Sequence, residues 1–346
     1  MSFFNQHLLS IEQLNPDSAE SLFNLADKMS PYTNRQKISK VLDGAILCNL
    51  FFEPSTRTRL SFGSAFNLLG GNVRETTGEA TSSISKGESL YDTAKAVSHY
   101  SDIIVMRHPK RDSVKEFSRG SNVPVINGGD GANEHPTQAL LDLYTIRNEL
   151  KARNKSIHKA HIVFIGDLKH SRTVHSLCKA LCYYKGLKIT FISPDELQAP
   201  ANILSALEKN ELSISTTNNL SENFNCDAIY VTRIQEERFG SQELANKFRG
   251  LYRLNQSVYQ SNFNGNGIIM HPLPRDSRPE ANELDIDLYP TQKDENKSNL
   301  KIFEQSNNGL AIRMALFIKT LGAEQELGKK DKPIKWDTQR NVKLSD

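Results

Sequence analysis

Seven short runs of almost unbroken apolar residues recur along this chain: AILCNLFF (45–52), DIIVMRHP (102–109), VPVIN (123–127), HIVFIGD (161–167), KITFISP (188–194), DAIYVTR (227–233) and GIIMHPLP (267–274). Between them lie polar turns and helical patterns such as TRTRLSFGSAFNLLG and SRTVHSLCKALCYY. A strand that is apolar at every position, rather than at alternate ones, must be covered on both faces. That is the condition of a parallel sheet wrapped by crossover helices. The pattern restarts near residue 160, and 346 residues exceed what one compact core usually serves. The chain is therefore expected to be α/β, with two doubly wound parallel-sheet domains. The amphipathic stretch PTQALLDLYTIRNELKARN (136–154) is the expected long interdomain helix. The last strong helical pattern is GLAIRMALFIKTLGA (309–323), and YPTQKDENKSNL (289–300) reads as a surface loop. The expected division is 1–150, 151–308, a C-terminal helix at 309–323, and a charged, apolar-poor tail at 324–346 that is predicted to be mobile.

Composition excludes several classes. There are 43 basic and 40 acidic residues, a net charge of +3, so any strongly positive site is local and neither nucleic acid nor a membrane surface is an expected partner. No run approaches the roughly 18 apolar residues of a membrane span, and MSFFNQHLLS has no basic leader. The four cysteines, Cys48, Cys178, Cys182 and Cys226, form no CxxC pair and read as reduced core thiols of a cytoplasmic protein. No metal site and no cofactor is expected.

FFEPSTRTRLSF (51–62) carries the first chemical signal. Pro54 stops a strand, Ser55 is a good N-cap, and the helix that follows closes at Gly70-Gly71. Ser55, Thr56, Arg57 and Thr58 then crowd a helix start, where unpaired N–H groups and the positive end of the dipole favour an anion. Serine and threonine cap helices everywhere. Arginine discriminates, because a cation there opposes the dipole and a bound phosphate-sized anion offsets that cost. GxxxxGK[ST] and GxGxxG are both absent, so this is neither a Walker loop nor a dinucleotide fingerprint.

The remaining motifs act together. STRTR (55–59), SKGES (85–89), MRHP (106–109), HPTQALLDL (135–143), GDLKHSRTVHS (166–176), TRIQEER (232–238) and HPLPR (271–275) resemble, in order and spacing, those of the carbamoyltransferase family. The resemblance spans residues 5–322. STRTR and HP.Q are shared with the family's ornithine branch; HPTQALLDL, GDLKHSRTVHS, TRIQ and HPLPR favour the aspartate branch. Leu273 stands where ornithine enzymes typically carry a cysteine.

The resemblance implies transfer of a carbamoyl group from carbamoyl phosphate to the α-amine of L-aspartate, an early step of pyrimidine (UMP) synthesis. Alternatives are another acceptor amine such as ornithine, or a non-catalytic anion-binding regulatory subunit of the same fold. By the same resemblance, Ser55, Thr56, Arg57 and Thr58 hold the phosphate, and Arg107 bridges phosphate and carbonyl oxygen. His135 and Thr58 donate to that oxygen, and Gln138 takes the carbamoyl NH₂ on its side-chain oxygen. Arg172 and Arg233 grip the two aspartate carboxylates beside Gln235, while Leu273 and Pro274 present backbone carbonyls to the amines. Ser82 and Lys86 belong to a loop that reaches a neighbouring subunit's site, which implies a homotrimer with shared sites and leaves room for a separate regulatory chain. The C-terminal helix is implied to pack back on the N-terminal domain. His108, His170 and His175 receive no chemistry, and His271 is expected to orient its loop. Two departures stand out: Gly63 lies where many members place a glutamate, and the segment after HPLPR is long.

Overall fold

The computed structural model describes residues 3–78, 83–289 and 298–336. It divides into two compact units, residues 1–133 with 309–346 and residues 134–308. Among the described residues there are eleven strands: β1 (Lys37–Ile38), β2 (Ile46–Phe51), β3 (Asn72–Thr77), β4 (Ile103–His108), β5 (Val125–Asp130), β6 (His161–Ile165), β7 (Lys188–Ile192), β8 (Ser213–Thr217), β9 (Ala228–Val231), β10 (Ile268–Met270) and β11 (Lys332–Pro333).

In the first unit four strands form a parallel sheet in the order β3-β2-β4-β5. Strands β4 and β5 are buried at every residue, as their apolar runs require. The chain leaves β2 for β3 on one side and then crosses to β4 on the other. The topological switch therefore falls between the carboxyl ends of β2 and β4, where α/β sheets collect ligands. Leu50, Ile104, Met106, Phe117 and Val125 form the core beneath it. From Gly309 onward the chain belongs to this unit. Phe317, on the helix Ile302–Thr320, packs edge-on against Phe66 at 4.9 Å and Phe62 at 5.9 Å between ring centroids. The segment read as a mobile tail holds, in its described part, a short 3₁₀ turn at Glu324–Glu326 and β11. Strand β11 pairs antiparallel with β1, and Tyr32 donates to Asp331 at 2.9 Å. Most of the expected loop at 289–300 lies outside the described residues.

In the second unit five parallel strands run β10-β9-β6-β7-β8, around Val163, Ile165, Ile229, Val231, Phe263 and Ile269. The chain proceeds from β6 outward to β8 and returns to β9 on the other side of β6, so the switch lies between the ends of β6 and β9. The helix Pro136–Ala152, expected as the interdomain connection, is counted in this unit. The four cysteines are free thiols. Burial pushes Cys48 up to about 11 and Cys226 up to about 12, which leaves them neutral and unreactive. Among the described residues no helix is long and apolar enough to cross a membrane.

Candidate active site

In the first unit the helix Thr56–Leu68 begins five residues after β2 ends at Phe51, and its first turn contains no acidic residue. Ser55 is the N-cap with an extended backbone (φ −161°, ψ 90°). The sequence predicts a capping serine, but its hydroxyl makes no capping hydrogen bond. The helix thus keeps both its first N–H groups and a nearby hydroxyl for something else. Thr56 and Arg57 are exposed; Ser55 and Thr58 are half-buried. Partial burial lowers the Arg57 guanidinium from its ordinary value. Its exposed surface decides the outcome, and it stays charged at any physiological pH.

Arg107, at the end of β4, is buried and braced inside its own unit. Its Nε lies 3.0 Å from Glu53 Oε2, and Nη1 donates to the Gly128 carbonyl at 3.4 Å. Glu53, read from the sequence as a salt-bridge partner for Arg172 or Arg238, pairs here with Arg107 of its own unit. His108 accepts the Lys110 N–H at 3.0 Å and packs edge-on to Phe52. Lys86 closes a 3₁₀ turn (Ser83–Lys86) and is exposed. Ser82 lies outside the described residues.

The Gly63 departure has a local explanation. A Cβ there would lie 3.5 Å from Glu75 Oε1, and Glu75 reaches over from β3. This carboxylate accepts from Asn49 Nδ2 at 3.0 Å and lies 3.8 Å from Arg59 Nη1. An acid from the strand occupies the flank of the helix where the glycine has none.

In the second unit His135 is the buried N-cap of the helix Pro136–Ala152, with Pro136 in the first turn. Its N–H donates to Ser176 Oγ at 3.2 Å, Ser176 donates to Glu134 Oε2 at 3.0 Å, and Lys179 Nζ lies 2.6 Å from Glu134 Oε1. One turn into the helix, Gln138 Nε2 donates to Asp142 Oδ1 at 2.8 Å.

The switch point of the same unit carries the acceptor-side residues. Gly166, after β6, has φ +115°, and a Cβ there would stand 2.1 Å from the Thr232 carbonyl; only glycine lets the two strand ends come so close. Fully buried Asp167 ties the two loops together, accepting the His170 N–H at 3.1 Å and the Gln235 N–H at 3.1 Å. Arg172 opens the helix Arg172–Leu181, whose N-cap Ser171 also makes no side-chain capping bond. Arg233 follows β9; Nη1 donates to the Ile234 carbonyl and to Glu237, both at 3.0 Å, and Nη2 donates to Glu237. A guanidinium has five donors, so a fixed fork with further donors remains for an incoming carboxylate.

After β10, His271 Nδ1 accepts the Leu273 N–H at 2.8 Å, and its Nε2 donates to Glu283 Oε1 at 2.8 Å. His271 therefore orients its loop, as expected. Leu273 has φ +57° and precedes a cis bond to Pro274. A left-handed leucine is uncommon, and this one is held by the His271 bond and by packing on the core.

Each unit thus presents arginine at the switch point of a parallel sheet in an α/β protein, a place and a charge suited to a small anion. The carbamoyl-P binding domain of aspartate/ornithine carbamoyltransferases matches residues 6–148, and the Asp/Orn binding domain matches residues 158–320. The chain belongs to the aspartate/ornithine carbamoyltransferase family. It is 53% identical to the aspartate carbamoyltransferase catalytic subunit of Cellvibrio japonicus, over 97% of this chain and 98% of that one. Among solved structures it is similar to the catalytic subunit of M. jannaschii aspartate transcarbamoylase, with 39% identity, a TM-score of 0.81, and coverage of 92% of this chain and 99% of the other. Aspartate transcarbamoylase from Trypanosoma cruzi, solved with N-(phosphonacetyl)-L-aspartic acid, matches with 34% identity, a TM-score of 0.82, and coverage of 92% and 97%.

Proposed function

We propose that this chain transfers the carbamoyl group of carbamoyl phosphate to the α-amine of L-aspartate, giving N-carbamoyl-L-aspartate and phosphate in UMP synthesis. The observation that carries this reading is the arginine pair at the second unit's switch point. Arg172, opening its helix, and Arg233, after β9, follow strand ends fastened to one another by buried Asp167, and two guanidiniums suit a small dicarboxylate. The same pair repels the side-chain ammonium of ornithine.

In this reading Ser55, Thr56, Arg57 and Thr58 take the phosphate at the open helix start. Arg107, held by Glu53, meets both phosphate and carbonyl oxygen. As the amine nitrogen attacks the carbonyl carbon, charge collects on that oxygen, and Thr58, Arg107 and His135 stabilise it. Gln138 accepts from the carbamoyl NH₂. Leu273 and Pro274 offer carbonyls to the amines, and Gln235 lies beside the aspartate grip. The new C–N bond forms, the C–O bond to phosphate breaks, and the amine proton leaves on the departing phosphate. Positioning two substrates supplies on the order of 7–11 kcal/mol of such a barrier. Ser82 and Lys86 complete a neighbour's site in a cytoplasmic homotrimer, to which a separate regulatory chain can bind.

The test is carbamoyl transfer by the purified protein with two variants. Arg57→Ala is expected to lose at least 100-fold in activity, on the scale of one lost transition-state donor. Arg233→Ala is expected to raise the aspartate KM far more than that of carbamoyl phosphate. Equal effects of Arg233→Ala on both substrates would remove the acceptor assignment.

A further inference from the structure

Asp142 is fully buried on the helix that begins at His135. Its Oδ1 accepts from Gln138 Nε2 at 2.8 Å and from Gln305 Nε2 at 2.6 Å, and its Oδ2 accepts from the Tyr230 hydroxyl at 2.7 Å. Burial and the neighbouring Asp142 charge push Tyr230 well above its ordinary value, so it serves as a neutral donor. Gln305 has a second attachment: its Oε1 accepts the His271 N–H at 2.9 Å, and His271 holds the Leu273 N–H.

The direction of this chain is forced. An ionised carboxylate only accepts, so it turns the NH₂ of both glutamines toward itself and their oxygens away. Without it, a flipped Gln138 amide would present NH₂ to the carbamoyl NH₂, donor against donor. A hydrogen bond to the anion also polarises the amide and strengthens its oxygen as an acceptor.

We propose that Asp142 and Gln305 are positioning residues: Asp142 fixes the Gln138 oxygen as the acceptor for the carbamoyl NH₂, and Gln305 ties the same carboxylate, through His271, to the Leu273 loop that meets the attacking amine. This rests on the carbamoyl-transfer reading and deepens it.

Acetyl phosphate separates positioning from general damage, because a methyl group replaces the NH₂ and makes no use of Gln138. The ratio of kcat/KM for carbamoyl phosphate to that for acetyl phosphate, both read as substrates in one sample, is insensitive to the folded fraction. Asp142→Asn preserves shape but can either donate or accept, so the ratio is expected to fall about three- to tenfold, the span of one weakened hydrogen bond. Asp142→Ala should lower it at least as far. Gln305→Met should leave the ratio unchanged and raise the aspartate KM. Equal losses with both phosphates in Asp142→Asn would overturn the proposal, even if Asp142→Ala failed to fold. No turnover of carbamoyl phosphate by the wild-type chain would overturn the reading beneath it as well.

Discussion

Gly63 lies in the interior of the helix Thr56–Leu68, where glycine costs about 1 kcal/mol relative to alanine. Its backbone is ordinary helix, and the three nearest atoms to an added Cβ stand at 3.5, 3.8 and 3.9 Å, normal contact distances. Gly63→Ala is therefore expected to stabilise the protein by about 0.5–1 kcal/mol in chemical denaturation, with activity retained. A loss of stability would mean that Glu75 needs more room than its position shows. The same residue illustrates what a sequence gives up. That a glycine sits in the helix interior is visible in the chain, but its neighbour Glu75 is brought there only by the pairing of β3 with β2. Asp142 is similar. Its spacing of four from Gln138 on a helix is a readable pair. Its second glutamine lies 163 residues further on, a distance no local pattern spans.

Among the elements, the strands that announced themselves were the buried ones. Strands β4, β6, β7, β9 and β10 begin within a residue or so of their apolar runs, because two covered faces demand apolar residues throughout. Strands β3 (NVRETT) and β8 (SISTT) were not legible: each is a sheet edge with mostly exposed or half-buried residues, and its polar composition reads as a loop. The helix start at Ser55 was legible because cap, proline and arginines are local signals. The support beneath His135 was not, since Glu134 meets Ser176 and Lys179 from another helix. That contact makes a prediction. Glu134 is almost wholly buried, so Lys179→Met strips a buried carboxylate of the cation 2.6 Å away and should cost about 3 kcal/mol, seen as a lower denaturation midpoint. Glu134→Gln combined with Lys179→Gln should recover most of the loss. A single-variant cost under about 1 kcal/mol would show the pair to be a solvated one.

For the whole molecule, both units place their cations at the carboxyl ends of parallel strands, at the point where strand order reverses. The order of motifs was legible from the sequence; the strand orders that put STRTR beside Arg107, and the Arg172 loop beside Arg233, were not. The units also share a response to pH. Burial lowers His7 in the first unit and His161 and His175 in the second. Folded, these rings remain neutral where the unfolded chain, with histidine near ~6.5, takes up protons. The unfolded state binds more protons there, so stability present above pH ~6.5 should drain away as pH falls through the lowered values. Asp276, held below its ordinary value chiefly by Arg278, adds to the same trend at lower pH. Thermal midpoints measured from pH 8 to pH 5.5 should decline, and a flat or rising profile would contradict the neutral, partly buried placement of the three histidines.

The most direct test of the account is acceptor choice: purified protein with carbamoyl phosphate, and L-aspartate or L-ornithine supplied in parallel. The arginine pair at the second switch point predicts carbamoyl-aspartate with aspartate and no product with ornithine. Turnover with ornithine alone would leave the phosphate site standing and contradict the roles given to Arg172 and Arg233.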